Sequence, residues 1–203
     1  MTVQSLRNAV PRLAVLAAVL AFFYDAPHLL FDSNHAVASD HPLYLFHAAM
    51  GILGMIVLTL VLAGLLVRAE GRLTGPLPAV AGLVTLTGLV MAAGGTWGEG
   101  FMVPYLADID PTVFAGEVGG YLLAIIIAGG LLFCTGWLLM AVVLRRAEVL
   151  SKGQAIALGA GAVVALAPVP LTTFLFVCVL AAVTQKLHAN ATVGDERGVL
   201  APA

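Results

Sequence analysis

The sequence predicts an all-α fold, a polytopic bundle of five transmembrane helices that forms one integral membrane domain over residues 1–203. Of the 203 residues, 61% are hydrophobic and 10% are charged, whereas a typical soluble domain carries about 25% charged residues. Lysine and arginine are absent from residues 13–67 and from residues 73–144. Most of the chain can therefore enter hydrocarbon without burying a cation.

The first predicted span covers residues 13–31, between a short basic head and a polar loop. At about 1.5 Å per residue, this apolar run is long enough to cross roughly 30 Å of hydrocarbon. A cleaved secretory signal peptide is the alternative, because residues 36–38 match the A-x-A cleavage pattern. The run is longer than a usual signal core and carries Asp25 and His28, so we expect a retained helix.

The second predicted span, residues 43–67, follows a turn signal at residues 32–34. His47 should lie about one turn into this helix, and the face that carries it continues through Gly51 and Gly54. Small residues at such spacing allow two helix backbones to approach closely. We therefore expect tight packing along the histidine face of this helix.

The third and fourth predicted spans enclose a second acidic and aromatic loop. The third span covers residues 77–95 and the fourth covers residues 119–144. Asp110 followed by Pro111 is typical of a helix start, with an N-cap acid before a proline at the first helical position. The fourth helix is therefore expected to begin outside the membrane.

The fifth predicted span, residues 155–183, is long for one crossing, and Pro168 and Pro170 interrupt it. We expect one kinked helix, because each half alone is too short to cross. A re-entrant hairpin is the alternative, and the polar tail over 184–203 follows in either case.

Basic residues predict the orientation of the bundle. Cytoplasmic loops of membrane proteins carry an excess of lysine and arginine. With five spans this rule places the N-terminus in the cytoplasm, both acidic loops outside the plasma membrane, and the C-terminus outside. The residues that define the cytoplasmic side are Arg7, Arg12, Arg68, Arg72, Arg145, Arg146 and Lys152.

Aromatic side chains gather toward the predicted outer face. Tyrosine and tryptophan are enriched where membrane helices meet the headgroups, since their rings are apolar with one polar atom. We expect such an interfacial belt from Tyr24, Tyr44, Tyr105, Tyr121 and Trp97.

The stretch from Tyr24 to His47 is the polar centre of the sequence, with four of the five histidines and no lysine or arginine. Asp25 and His28, three residues apart, share one face of a continuous helix. Because His28 lies near the outer end of the first helix and His47 near that of the second, their imidazoles should lie at similar depth. The histidines and acids of the stretch are Asp25, His28, Asp32, His35, Asp40, His41 and His47.

Histidine and carboxylate together suit zinc, manganese or non-haem iron. We predict a site formed by Asp25, His28 and His47, which Glu99 or Glu117 from the second acidic loop would complete. Ionisable residues within a span are costly, which makes them functional candidates. No spacing matches a named metal motif such as H-E-x-x-H, so interfacial or structural roles are the alternative.

Two other chemistries are less favoured. A haem b could use His28 and His47 as axial ligands, but the outer side has no lysine or arginine to meet the propionates. A transport path could use a helix broken at Pro168 and Pro170, but the internal repeat common in transporters is absent from the sequence.

The leading functional hypothesis is a bacterial multi-pass membrane protein with an outer-facing pocket of histidines and carboxylates that binds a metal ion or small ligand. The alternative is a non-catalytic accessory subunit of a membrane complex or transporter, whose outer loops dock a membrane protein partner. The sequence carries no nucleophile elbow, P-loop or CxxC motif, so no reaction is predicted. The expected partner is the lipid bilayer, and the lack of a basic patch argues against nucleic acid.

Overall fold

The computed structural model describes residues 2–31, 41–110, 117–167 and 169–199, with side chains omitted at 107, 117–119, 121–122 and 190–199. The described chain is helical and contains no strand, which confirms the predicted all-α class. Five of its helices are long and apolar enough to cross a membrane. They cover Val3–Leu29, Tyr44–Arg68, Leu77–Leu106, Leu123–Arg146 and Thr172–Ala189.

Seven α-helices make up the described fold. A 3-10 turn at Ala26–Leu29 extends the first helix, and a π-helical turn at Gly98–Met102 joins the third helix to the fourth. The helices are α1 (Val3–Asp25), α2 (Tyr44–Arg68), α3 (Leu77–Trp97), α4 (Val103–Ile109), α5 (Glu117–Arg146), α6 (Lys152–Val164) and α7 (Thr172–Val199).

Two helix pairs form the centre of the bundle. Helix α1 packs against α2 and α7, while α3 packs against α5, and α2 contacts α3 to join the pairs. The α3–α5 contact is close because a Cβ at Gly88 would overlap the backbone of Phe133, and a Cβ at Gly136 would overlap the backbone of Thr85. Close contact through small residues is typical of helices that associate within lipid.

The structure differs from the prediction of one kinked helix over residues 155–183. Helix α6 ends at Val164, and α7 begins only at Thr172. Pro170 lacks a backbone N–H, which removes a helical hydrogen bond in the segment between them. Helix α6 is about 20 Å long at 1.5 Å per residue, too short for a full crossing, whereas α7 is long enough. The hairpin alternative describes this region better than a single helix.

The C-terminal helix runs in the opposite direction from the one predicted. The Phe174 amide donates to Asp25 at the end of α1, over 2.8 Å. Eleven residues later, the Gln185 side chain donates to the Pro11 carbonyl at 3.4 Å, near the start of α1. Helix α7 is therefore antiparallel to α1, and its described end lies beside the N-terminus. Because α6 and α7 form a hairpin, the chain up to Ala189 returns to the end of the bundle where it begins, whereas five spans in alternation predicted opposite ends.

The bundle has two chemically distinct ends. At the basic end, the guanidinium of Arg68 donates to the Leu187 carbonyl over 2.7 Å and lies near Arg7. At the opposite end, here called the histidine end, the 3-10 turn after α1 meets the start of α2 and the π-helical turn after α3. Side chains of three different segments converge there.

Candidate metal centre

His28, His47 and Glu99 come together at the histidine end. Each offers one ligand atom, and these three atoms lie within 4.8 Å of one another. Ligands at about 2.1 Å from one ion can be at most about 4.2 Å apart. Small side-chain rotations would therefore be enough to bring all three atoms into one coordination sphere.

His28 is positioned by the way in which α1 ends. Pro27 occupies the first turn of the 3-10 segment, where its missing N–H and fixed φ are tolerated. The ring of His28 then turns back, and its Nδ1 bonds the Tyr24 carbonyl at 3.1 Å. Since a carbonyl can only accept, Nδ1–H is the donor and Nε2 keeps its lone pair. A carbonyl partner of this kind commonly orients a metal-binding histidine.

His47 lies one turn into α2 and is completely buried. Its ring meets that of His28 edge to face, with 4.8 Å between centroids and an interplanar angle of 82°. The similar depth predicted for the two imidazoles is confirmed by this contact. Burial of an ionisable ring inside a membrane bundle is costly unless other groups compensate it.

Glu99 reaches the cluster from the π-helical turn Gly98–Met102. In this turn the Val103 amide donates to the Gly98 carbonyl, five residues back. Pro104 follows and has no N–H, so the regular i to i−4 ladder is interrupted at this point. Single π-helical turns of this kind are frequent at functional sites. Here the turn lies against α2, where a Cβ at Gly100 would overlap Ala48.

An aromatic shell surrounds the two histidines. The Tyr24 ring stacks on His47 at 5.7 Å and 22°. The rings of Phe31 and Tyr44 both approach His47 to 4.9 Å. Tyr44 is only 1% exposed, so its assignment to an interfacial belt is wrong. Tyr44 lies three residues before His47, and residues at this spacing share one face of a helix. This spacing was the signal in the sequence for the contact between Tyr44 and His47.

Two tyrosines lie within electrostatic range of the carboxylate of the cluster. Tyr24 and Tyr44 both interact electrostatically with Glu99. The Tyr24 hydroxyl bonds the Thr96 side chain, whose own proton goes to the Ala92 carbonyl at 2.9 Å. Within the described chain, no group hydrogen-bonds the buried Tyr44 hydroxyl.

Gly51 permits the close packing behind the cluster. A Cβ at this position would come within 2.6 Å of the Tyr24 ring and 2.9 Å of the Thr96 methyl group. At Gly54, one turn further along α2, the nearest atom would be the Leu20 Cβ at an ordinary 3.6 Å. Of these two glycines, Gly51, which lies beside the histidines, is the more closely packed.

A cavity of ≈ 180 Å³ adjoins the cluster. Glu99 and Tyr24 line both the cavity and the cluster region, while Thr96 and Thr173 supply further polar groups. The remaining walls are apolar or glycine and come from α2, α3, α5 and the end of α6. A space of this size accommodates a few waters or a small polar ligand.

Asp25 caps the start of α7. Its Oδ2 accepts the Phe174 amide at 2.8 Å, and Thr173 supplies further hydrogen bonds. An aspartate that accepts the first amides of a helix satisfies donors that have no partner within the helix. Asp25 is absent from the three-residue group, because the 3-10 turn at Pro27 ends the helical face that it was expected to share with His28.

The other predicted residues are only partly described. Glu117 begins α5, but its side chain lies outside the described residues, as do Asp32, His35 and Asp40. His41 packs its ring on Phe31 at 5.3 Å and accepts the Leu43 amide at 3.2 Å.

The observed geometry does not suit a haem between the two histidines. Axial ligands face each other across the porphyrin plane, whereas these rings touch edge to face at 4.8 Å. Two imidazoles and one carboxylate instead form the ligand set of several zinc and non-haem iron sites, which keep at least one open position. Neither a family of proteins, nor a curated protein, nor a solved structure matches this chain.

Proposed function

We propose that this protein binds a divalent first-row metal ion, zinc, manganese or iron, through His28, His47 and Glu99. The ion would lie within the helix bundle, at the end where the chain has no lysine or arginine. The adjoining cavity would admit water or a small polar ligand to the remaining coordination positions. Catalysis is not part of the proposal, since no group in the cavity marks a particular reaction.

The observation that supports the proposal is the convergence of three metal-ligating side chains from three separate segments. Ligand atoms that lie within 4.8 Å of one another come from the turn after α1, from α2 and from the π-helical turn. Two neutral imidazoles and one carboxylate would bring a net charge of −1 to a divalent cation. Without a bound cation, burying this group inside the bundle would carry a large desolvation cost.

The surroundings of the cluster support the same interpretation. The carbonyl of Tyr24 fixes the His28 tautomer that leaves Nε2 as a ligand. The Tyr44 hydroxyl provides a buried polar group for a metal-bound water or ligand. Aromatic rings around His47 restrict the access of bulk water, which strengthens electrostatic interactions with an ion.

The orientation that we propose places the histidine end outside the plasma membrane of a bacterium. Arginines and lysines cluster at the opposite end of the bundle, and cytoplasmic segments favour these residues. Because α7 returns to the basic end, the proposal puts both the N-terminus and the described end of α7 in the cytoplasm. The metal would then exchange with the external medium.

The second candidate function is a non-catalytic accessory subunit that docks a partner through its outer loops. Its histidines would be expected to face headgroups or solvent. His47 is fully buried and packs on His28, which favours the pocket. Several apolar or aromatic side chains near the histidine end are more than half exposed, including Trp97 and Tyr105, and these could contact a partner or lipid.

Elemental analysis of the full-length protein tests the proposal. The protein would be expressed with zinc, manganese and iron supplied, purified in mild detergent without chelator, and analysed for metal and optical absorption. We expect close to one metal ion per chain and no haem spectrum. His28→Ala and His47→Ala should each release the ion, and His47→Gln should do the same while keeping a polar side chain.

His188→Ala is the matched control, because His188 lies on α7 near the basic end and should leave the metal content unchanged. Circular dichroism and gel filtration would show that each variant is folded and monodisperse. Folded wild-type protein that neither carries metal nor binds any of the three ions on titration would overturn the proposal.

A further inference from the structure

A second cavity lies near the basic end of the bundle, in the groove between α5 and α6. It has a volume of ≈ 580 Å³, and every lining residue is apolar or glycine apart from three cations. Its walls include Leu138 and Val142 from α5, and Ile156, Ala160 and Val163 from α6. Ile156 is 60% exposed and Val163 is 52% exposed, so this apolar surface faces out of the bundle.

The three cations lie together at one end of the groove. Arg145 and Arg146 end α5, and Lys152 begins α6 after a short turn. All three side chains are exposed. Arg145 donates to the Leu150 carbonyl at 3.4 Å, a long contact that leaves its other N–H groups available. Glu148, the acid of the connecting turn, is not among the lining residues.

The groove has the depth of one leaflet. From Lys152 to Val163 the axis of α6 rises about 16 Å, close to half of the roughly 30 Å hydrocarbon thickness. Helix α6 does not continue across the bilayer as a regular helix. The apolar groove therefore extends from the cationic end to about the bilayer midplane, which matches one acyl chain below its headgroup.

We propose that this groove is a binding site for an anionic phospholipid of the leaflet at the basic end. The acyl chain would lie on the apolar walls, and the headgroup phosphate would be bound by Arg145, Arg146 and Lys152. Basic pockets between membrane helices on the cytoplasmic side bind anionic headgroups in this way. The proposal is independent of the metal site, which lies at the other end of the bundle.

Charge complementarity selects this occupant over a second copy of the chain or another protein. Three cations with no acid in the lining attract a phosphate that carries net negative charge. A zwitterionic lipid offers the same phosphate, but its headgroup cation opposes the three basic side chains. The site should therefore distinguish phosphatidylglycerol from phosphatidylcholine.

Native mass spectrometry of the full-length protein tests the proposal. Delipidated protein in detergent would be mixed with equimolar phosphatidylglycerol and phosphatidylcholine that carry identical acyl chains. We expect adducts of phosphatidylglycerol to predominate over those of phosphatidylcholine. Each cation near an anionic membrane contributes about fivefold in affinity, so Arg145→Gln/Arg146→Gln/Lys152→Gln should remove most of the preference.

The matched control is Arg7→Gln/Arg12→Gln/Lys186→Gln, which removes the same charges from exposed positions at the same end. This variant should keep the preference. Ala160→Phe, which fills the groove and keeps every charge, should reduce adducts of both lipids. Inorganic phosphate should not displace the bound lipid, because it makes no contact with the apolar walls.

Three outcomes would overturn the proposal. Equal binding of the two lipids by the wild-type protein would show that it has no site selective for anionic lipid. If the control variant loses the preference as fully as the groove variant, the preference reflects only general charge attraction. A dimer that Ala160→Phe disrupts would show that a second copy occupies the groove. Circular dichroism identifies any misfolded variant. If the triple variant misfolds, Arg146→Gln alone provides the test, with an expected loss of about fivefold in affinity for phosphatidylglycerol.

Discussion

The imidazoles of His28 and His47 meet edge to face, with 4.8 Å between ring centroids, although the two residues are nineteen positions apart in the sequence. Residues 32–40 of that stretch lie outside the described chain. The contact is established by α1 and α2, which pack along most of their lengths. A pair of imidazoles held by two rigid helices is a preorganised site, because little side-chain entropy is lost when a ligand binds.

Metal affinity should fall as the pH is lowered. Only neutral imidazole binds a metal, so protons compete with the ion when the pH falls toward about 6.5, where histidine ordinarily titrates. Two histidine ligands predict a loss of up to about 100-fold in affinity per pH unit below that range. Zinc titration by calorimetry at several pH values measures this slope.

Glu99→Gln is the control for this pH dependence. It removes the carboxylate and should weaken zinc binding at every pH, while the steep dependence that the two histidines cause should persist. A wild-type affinity that is constant between about pH 5.5 and pH 7.5 would contradict histidine ligation.

Asp25→Ala should destabilise the protein without releasing the metal. The substitution leaves the Phe174 amide without its acceptor at the start of α7, a change that typically costs about 0.5–2 kcal/mol for a helix cap. For a chain of this size, the thermal midpoint should fall by a few degrees, about 2–4 °C per kcal/mol. Asp108→Ala, at an exposed position, should have little effect. Metal loss with an unchanged midpoint would instead make Asp25 a ligand.

Gly51→Ala should disturb the metal site more than Gly54→Ala. The new Cβ at residue 51 would overlap the Tyr24 ring and the Thr96 methyl group, whereas at residue 54 it would make an ordinary contact. Overpacking of this kind typically costs about 1–3 kcal/mol. Thermal unfolding and zinc titration of the two variants measure the difference. Equal behaviour would show that α1 and α2 are not in close contact at Gly51.

The N-terminus and the part of α7 around His188 should both be protected from reagents outside the cell. In a Cys134→Ala/Cys178→Ala background, single cysteines at Thr2, Glu70 and His188 should resist a membrane-impermeant maleimide in intact cells. A cysteine at Asp108 should react. All four should label after the membrane is permeabilised. Labelling of the His188 and Asp108 positions together, with Thr2 protected, would show that α7 ends on the side opposite the N-terminus.

The fold class could be predicted from the sequence because a membrane span leaves a strong local signal. Long apolar runs and stretches without lysine or arginine predict helices regardless of how these helices pack. The proximity of His28 and His47 could also be predicted from the sequence, because the two residues lie near helix ends that one loop joins. These conclusions required no knowledge of distant contacts.

The third member of the proposed ligand set depends on tertiary structure. Asp25 lies only three residues before His28, yet it caps α7, while Glu99 reaches the histidines from a distant turn. A break of the helix at Pro27 and a π-helical turn before Pro104 change the directions of these side chains. Regular helical spacing cannot predict such changes, because it assumes a constant rotation per residue.

The sequence by itself therefore determined the all-helical fold with its five long apolar helices, the basic end and the histidine-rich end, since each rests on local composition. Tertiary structure decided the course of the last helix, because Pro168 and Pro170 are compatible with either a kink or a hairpin. It also decided which polar groups meet. Contacts such as Phe174 with Asp25 and Leu187 with Arg68 join residues far apart in the chain, and only the packing of whole helices brings such residues together.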